Sequence, residues 1–293
     1  MKVAIYNRVL DVRQLKDIQL FFDELDKEGI VPVVYQPFLN ELRGQISLPA
    51  RLESFSRSQD LTNDIDFFVS LGGDGTLLDT VTLVKNKNIP VLGINFGRLG
   101  FLASIGREEA VTAVKAMARR SFIVDKRALI HIDANLPLFG EAPFALNEFV
   151  IHKQDTAPMI KIHTYLNGEL LNTYWADGLI VSTPTGSTGY SLSCQGPVVF
   201  PESGSFVITP IAPHNLNTRS VVVPDNTIIS FEVESRSPNI ICSVDSRREI
   251  VDKSVLLAVR KESFQVSLVR LNENNFLQTL RNKLSWGLDK RNY

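Results

Sequence analysis

The turn Gly-Gly-Asp-Gly-Thr at residues 72–76 constrains the fold more than any other segment of this chain. An apolar run at residues 66–71 precedes it, and apolar residues at helical spacing follow through residue 84, so the glycines join a strand to a helix. Such a turn lies at the carboxyl end of a strand, where open α/β sheets bind ligands. Inward-pointing backbone N–H groups and the helix N-terminus both attract phosphate, so the segment predicts a phosphate-binding turn.

Asp74 is the unusual member of this turn, because a carboxylate beside an anionic ligand adds repulsion and does not help binding. Two roles would explain it: accepting the proton of an attacking hydroxyl, or helping to hold a magnesium ion. Neither the Walker A spacing nor the Gly-x-Gly-x-x-Gly dinucleotide pattern is present in the turn. On spacing alone, a purely structural glycine turn is an equally good interpretation.

The chain of 293 residues is long enough for two hydrophobic cores, and 44% hydrophobic residues is an ordinary value for a globular protein. Strand and helix patterns alternate through residue 121, which predicts a doubly wound α/β domain. Extended, β-branched segments fill residues 122–269, which predicts an all-β, sandwich-like domain. The last residues return to helical spacing.

The apolar patterns predict individual elements. Predicted strands cover residues 2–6, 31–35, 66–71, 90–94, 145–151, 160–166, 169–175, 179–182, 206–209, 228–233, 240–244 and 264–269, and predicted helices cover residues 15–25, 76–84, 108–119 and 276–284. Asn167-Gly168 is typical of a type I′ hairpin turn. Residues 36–63 show no strong period and are expected to be partly mobile.

Charge and cysteine content exclude several classes of function. A net charge of −1 without a long basic run argues against nucleic acid or a membrane as the main partner. The two cysteines are too few for a disulfide framework, and the first residues do not read as a signal peptide, so we expect a cytoplasmic protein. The four scattered histidines do not predict a metal site in the protein.

A second polar segment lies at residues 177–197, where a short strand leads into a stretch dense in hydroxyl groups and glycines. Such a stretch suits a ligand with many hydroxyl and phosphate oxygens, such as a dinucleotide. An exposed loop rich in turn residues would look the same. Asn147-Glu148, inside the apolar run at residues 144–151, could mark a strand that switches faces or could bind ribose.

Together these segments resemble NAD kinases, which transfer a phosphoryl group to the 2′-hydroxyl of the adenosine ribose of NAD. The matching segments are residues 72–76, 93–102, 147–148, 177–197 and 280–287. The glycine turn is shared with phosphofructokinases and lipid kinases, whereas the segment at residues 177–197 is specific to NAD kinases. The resemblance covers nearly the whole chain and implies the fold common to NAD kinases and diacylglycerol kinases.

The resemblance also implies roles for individual residues. Asp74 would be the general base toward the ribose hydroxyl. The residues implied to bind substrates are Gly72, Gly73, Gly75, Thr76, Phe101, Asn147, Glu148, Asp177, Thr188, Gly189, Tyr190, Ser191, Leu192 and Ser193. ATP would be the phosphoryl donor, with a divalent metal ion, Mg²⁺, as cofactor.

The resemblance further implies a domain organisation and an assembly. Residues 1–121, joined by residues 270–293, would bind the nucleotide phosphates, and residues 122–269 would bind NAD and form a homodimer or homotetramer. Two positions depart from the family: Trp175 stands where several members have a basic residue or Gln, and Arg247 where several bacterial members have Gln. Packing or stacking is expected at Trp175, and Arg247 could favour an anionic nucleotide. A related lipid or sugar-phosphate kinase and a non-catalytic NAD or NADP sensor are the competing hypotheses.

Overall fold

The computed structural model describes residues 1–97, 100–154, 156–271 and 275–286. The chain divides into two compact units. The first contains Met1–Lys126 and Val266–Tyr293, and the second contains Arg127–Gln265. Of the segments that carry the family resemblance, Arg98, Leu99 and Gly287 lie outside the described residues.

The strands and helices follow in this order along the chain. The strands are β1 (Lys2–Tyr6), β2 (Val31–Tyr35), β3 (Glu53–Phe55), β4 (Ile65–Leu71), β5 (Val91–Asn95), β6 (Ile105–Gly106), β7 (Ile123–Ala134), β8 (Phe144–Ala145), β9 (Glu148–Lys153), β10 (Ile160–Leu166), β11 (Glu169–Ala176), β12 (Gly178–Ser182), β13 (Ser205–Ile211), β14 (Val221–Pro224), β15 (Ile229–Glu234), β16 (Asn239–Val244), β17 (Arg247–Asp252) and β18 (Leu257–Arg270). The helices are α1 (Leu15–Lys27), α2 (Gln36–Leu42), α3 (Asp74–Val84), α4 (Ala110–Arg119), α5 (Tyr190–Ser193) and α6 (Phe276–Leu284).

The first unit is built on a parallel sheet in the order β3-β2-β1-β4-β5, and the last residues of β18 pair with β5. Tyr6 of β1 lies opposite Ser70 of β4, and Ser70 lies opposite Gly93 of β5. All these pairs are parallel, so the carboxyl ends of β1, β4 and β5 share one edge. The predicted phosphate-binding turn follows β4 at this edge.

Helix α1 shows how the sequence pattern builds the core of the first unit. Ile18, Phe21, Phe22 and Leu25 recur at helical spacing and are fully buried against the sheet residues of the same cluster. Burial of each such side chain contributes about 1.5–3 kcal/mol. The helical stripe therefore fixes which face of α1 packs on the sheet.

The second unit is a sandwich of two antiparallel layers. One layer has the order β14-β13-β12-β9-β16-β17, and the other pairs β11, β10, β15 and the first part of β18. Residues of both layers, among them Phe149, Phe206, Ile162 and Phe231, form one buried cluster. The hairpin predicted at residues 167–168 is confirmed, since Asn167 and Gly168 have φ values of 50° and 87°.

Several expectations for single segments are wrong. Residues 36–63, whose short elements gave no readable period, contain α2 and β3, with Phe38 and Phe55 buried. The run at residues 144–151 is two strands, β8 and β9, and residues 183–197 contain a 3-10 helix at Gly186–Thr188 and helix α5 instead of an open loop. The strands without a counterpart among the predicted ones are β3, β6, β7, β14 and β17. Within the described part of the chain, no helix has the length and apolarity needed to cross a bilayer.

Candidate active site

The glycine turn follows β4 directly, and Asp74 is the first residue of α3. Gly72 has φ = 152°, and a Cβ atom there would lie 2.5 Å from Oγ1 of Thr76, so only glycine fits. The backbone N–H of Thr76 donates to the Gly73 carbonyl at 3.0 Å, which starts the helix, and Gly75 is exposed. The turn therefore presents the N-terminus of α3 at the carboxyl edge of the sheet.

The Asp74 carboxylate is bonded to a neighbouring backbone segment. Its Oδ1 accepts the N–H groups of Leu102 and Ala103 at 3.1 and 2.9 Å, and its Oδ2 accepts the N–H of Phe101 at 2.9 Å. A carboxylate has about four lone-pair positions, and three of them are occupied here. The remaining position, on Oδ2, is where a hydroxyl group could donate to Asp74.

Gly100 makes this approach of carboxylate and backbone possible. A methyl group at Gly100 would overlap Oδ1 of Asp74, and the backbone N–H of Gly100 donates to the Ala103 carbonyl at 3.0 Å. Phe101, which follows, is half-buried. The segment at residues 100–103 is thus folded around the Asp74 side chain.

In the second unit, a buried carboxylate shapes the backbone at Asn147-Glu148. Asp245 accepts the N–H groups of Leu146, Asn147 and Glu148 at 2.9, 2.8 and 3.1 Å. These bonds replace sheet pairing and explain why the apolar run is interrupted between β8 and β9. Asn147 and Glu148 therefore stand where the apolar run breaks into two strands, which does not decide between a strand that switches faces and a ribose site.

Arg247 has structural partners close to the same carboxylate. Its Nη1 and Nη2 atoms donate to the carbonyl oxygens of Ala142 and Phe144 at 2.5 and 2.6 Å, and its guanidinium carbon lies 6.0 Å from the centre of the Phe144 ring. These contacts hold the strand that leads to Asn147. The expected preference of Arg247 for an anionic nucleotide gains no support from them.

Glu148 lies buried near Asp245 in this unit. Burial first, and then the negative charge of Asp245, raise the pKa of Glu148 to about 8, while the N–H of Tyr190 opposes the shift. Burial also raises the pKa of Asp245, but its three N–H donors and Arg247 favour the charged form. At neutral pH the pair therefore holds a proton on Glu148.

The polar segment after β12 lies against Asn147 and Glu148. The Thr183 N–H donates to the Asn147 carbonyl at 2.9 Å, its hydroxyl donates to the Leu146 carbonyl at 2.5 Å, and a Cβ atom at Gly189 would lie 3.1 Å from Oε2 of Glu148. Oδ1 of Asn147 and Oε2 of Glu148 are buried and have no hydrogen-bond partner within the described residues. Such orphaned polar atoms are typical of a site that a ligand or water completes.

Of the other predicted residues in this segment, some form hydrogen bonds within the protein and others are exposed to solvent. The Ser191 hydroxyl is buried and bonded to the Thr209 hydroxyl at 2.9 Å, and the Thr188 hydroxyl donates to a carbonyl three residues earlier. Leu192 is half-buried, and Tyr190 and Ser193 are exposed. Ser191 is therefore placed to hold the segment together.

Asp177 and Trp175 lie on the strand side of the segment. Lys153 of β9 forms an ion pair with Oδ1 of Asp177 at 2.7 Å. The Trp175 ring stacks on the His214 ring, with centroids 4.3 Å apart and an interplanar angle of 24°. The stacking expected at Trp175 is thus present, with His214 as its partner.

Sequence reasoning missed the site residues that act through backbone N–H groups or through hydrogen bonds to distant segments of the chain. Gly100 and Leu102 belong to the segment at residues 93–102, which was matched only for its resemblance, whereas Ala103 lies just beyond it and Asp245 was not singled out. Their partners lie 27–29 residues away for Asp74 and 97–99 residues away for Asp245. Gly100, in the matched segment at residues 93–102, is the one sequence feature that pointed to the backbone groups around Asp74.

Comparisons with known proteins agree with this geometry. Residues 50–122 match the ATP-NAD kinase N-terminal domain, and residues 146–271 match the ATP-NAD kinase C-terminal domain. The chain is 47% identical to an NAD kinase of Cytophaga hutchinsonii over 100% of both chains. It is 38% identical to an NAD kinase of Bacteroides fragilis over 99% of this chain and 100% of that one.

Solved structures agree as well. An Archaeoglobus fulgidus NAD kinase in complex with ATP is similar with a TM-score of 0.75 and 26% identity, covering 97% of this chain and 99% of that one. Yeast NADH kinase complexed with NADH has a TM-score of 0.87 over 98% of this chain and 88% of that one, and at 24% identity it shows the fold alone. The predicted fold class and the resemblance are thus confirmed. The chain belongs to the NAD kinase family.

Proposed function

We propose that this chain transfers the γ-phosphoryl group of ATP to the 2′-hydroxyl of the adenosine ribose of NAD, which yields NADP and ADP. The observation that carries the proposal is the placement of Asp74 at the first position of α3, inside the glycine turn, with one lone-pair position left on Oδ2. Family membership supplies the substrates, and this carboxylate supplies a partner for the acceptor hydroxyl.

In this mechanism the ribose hydroxyl donates a hydrogen bond to Oδ2 of Asp74 while its oxygen attacks the γ-phosphorus. A carboxylate is a weak base toward an alcohol, so proton transfer accompanies or follows the attack and no free alkoxide forms. The backbone N–H groups of the turn, at Gly73, Gly75 and Thr76, would face the phosphates. Alignment and charge neutralisation provide most of the acceleration.

Mg²⁺ belongs to the proposal as an ion that arrives with the triphosphate. No group of three or more His, Cys, Asp or Glu side chains that could hold a metal occurs in the described part of the chain. Mg²⁺ commonly keeps several waters and binds through substrate phosphates with only one or two carboxylates, so it does not require such a cluster. One lone pair of Asp74 cannot serve both metal and hydroxyl, and we assign it to the hydroxyl. When bound, the ion offsets the phosphate charge.

NAD is assigned to the second unit, on the orphaned atoms of Asn147 and Glu148. Protonated Glu148 can donate one hydrogen bond and Asn147 Oδ1 can accept one, which matches a ribose diol. Gly189 and Tyr190 flank these atoms, and Tyr190 is exposed enough to pack on a base. The Asp177 carboxylate already forms an ion pair with Lys153, so it would bind NAD and Lys153 at the same time. A cytoplasmic homodimer or homotetramer is part of the same proposal.

The test of the function is direct. Purified protein with ATP, Mg²⁺ and NAD should form NADP, which glucose-6-phosphate dehydrogenase detects. Binding of NAD without turnover would favour a sensor, and turnover of a lipid or sugar phosphate in place of NAD would favour the related kinases. Either result would overturn the proposal.

Gly100 offers a test of the Asp74 geometry. In Gly100→Ala the new methyl group displaces the carboxylate, and kcat for NADP formation should fall about 10²-fold, because a shift of about 1 Å has that effect on catalysis. Gly97→Ala is the matched control, since its Cβ would lie 3.4 Å from Asn95 Oδ1 and should leave kcat within about threefold. Equal kcat values for the two variants would show that the position of the carboxylate is unimportant.

A further inference from the structure

Arg8 lies just beyond β1, at the sheet edge that carries the glycine turn. Strand β1 ends at Tyr6, which is opposite Ser70 of β4, and β4 leads into Gly72 two residues later. The strands are parallel neighbours, so the chain leaves β1 and β4 at the same edge. Arg8 therefore belongs to the loop next to the turn.

The Arg8 side chain is held against the helix that begins at the turn. Its Nε lies 3.5 Å from Oδ2 of Asp79, and the Tyr6 hydroxyl donates to the same oxygen at 3.4 Å. Asp79 is on α3, the helix whose first residue is Asp74. The guanidinium is thus tied to α3 by one long ion pair, and the Arg8 side chain is 58% exposed.

This ion pair contributes little to stability. Exposed pairs contribute about 0–1 kcal/mol, and a 3.5 Å contact through Nε alone is not the paired fork that makes arginine contacts strong. Breaking the contact of Arg8 with Asp79 in favour of another anion therefore costs little free energy. Phosphate is the anion that the guanidinium fork matches best.

The turn itself has no cationic side chain. Residues 72–76 contain neither Lys nor Arg, and their one charged side chain is the carboxylate of Asp74. A triphosphate with its negative charges beside Asp74 and Asp79 needs a compensating cation besides Mg²⁺. Arg8 supplies a cation from the adjacent loop.

We propose that Arg8 binds the terminal phosphates of the nucleoside triphosphate donor, giving up Asp79 for phosphate oxygens. The proposal rests on the proposed function, which places the triphosphate at the glycine turn. Arg8 is a binding residue for the donor and has no part in NAD recognition.

The test is equilibrium binding of adenosine, AMP, ADP, ATP and inorganic tripolyphosphate to the full chain in the presence of Mg²⁺. Arg8→Ala should weaken ATP and tripolyphosphate binding by about 10- to 100-fold, the effect of one charge-assisted contact, and leave adenosine binding unchanged. Arg8→Lys should recover part of the affinity, because it keeps the charge and loses the fork. Arg13→Ala is the matched control: Arg13 is an exposed arginine of the same unit, paired with Asp11 on its own segment.

Three results would overturn the inference. The first is equal affinity of Arg8→Ala and Arg13→Ala for ATP. The second is an equal loss of adenosine and ATP affinity in Arg8→Ala, which would mean a structural role. In either case NADP formation by the wild type would leave the proposed function intact. A wild type that binds no tripolyphosphate and forms no NADP would overturn both proposals together.

Discussion

Replacing Asp74 by asparagine should lower kcat for NADP formation by about 10²- to 10⁴-fold, the range expected when a general base is removed. The amide cannot take the proton of the ribose hydroxyl. Steady-state kinetics with saturating ATP and NAD measure the loss. Equilibrium binding of both substrates should stay within about threefold of the wild type.

The hydrogen bonds of Asp74 require a second measurement on the same variant. An asparagine turns an NH₂ group toward at least one of the three N–H donors from residues 101–103, and an unsatisfied donor costs about 1–3 kcal/mol. Thermal melting of Asp74→Asn should therefore show a modest loss of stability. Near-normal turnover would remove Asp74 from the role of base, and a joint loss of turnover and substrate binding would assign it to holding the segment.

Glu148→Gln should remove a pH dependence from the stability of the second unit. The folded-state pKa of Glu148, about 8, lies above the unfolded value of about 4.3, so its proton stabilises the fold at low pH. That contribution is complete below pH 4, declines as the pH rises, and is lost above pH 8. Across this window the wild type should lose up to about 5 kcal/mol relative to Glu148→Gln.

Urea unfolding between pH 5 and pH 9 measures this difference. In a Trp286→Phe background the fluorescence of Trp175 reports the second unit alone, since these are the two tryptophans of the chain. Glu169→Gln, at an exposed position of β11, is the control and should give a curve parallel to the wild type. Parallel curves for wild type and Glu148→Gln would mean that Glu148 does not retain a proton in the folded protein.

The sequence predicted the elements whose signals are local. The strand, glycine turn and helix around Asp74 are contiguous, as are the Asn167-Gly168 hairpin and the apolar stripe of α1, and each formed as expected. Short elements with mixed periods were missed, which is why residues 36–63 were predicted to be mobile. The family resemblance supplied the site residues, and the structure gives many of them physical contacts.

The chemistry of the site depends on contacts that no local pattern contains. The shift in the pKa of Glu148 comes from burial and from Asp245, which is nearly a hundred residues further along the chain. In the same way, three lone-pair positions of Asp74 are occupied by backbone groups from a different loop. A sequence pattern names such side chains but cannot say which of their atoms are already bonded.

The pairing of β18 with β5 has a consequence for synthesis on the ribosome. On the side of β5 that faces away from β4, Val91 and Leu92 pair with Leu268 and Val269, and Val269 also enters the core of the first unit. That side of Val91 and Leu92 therefore stays unpaired until nearly the whole chain has emerged from the ribosome. All strands of the second unit, Arg127–Gln265, are synthesised before Leu268 and Val269. The first unit therefore begins first on the ribosome and is completed last.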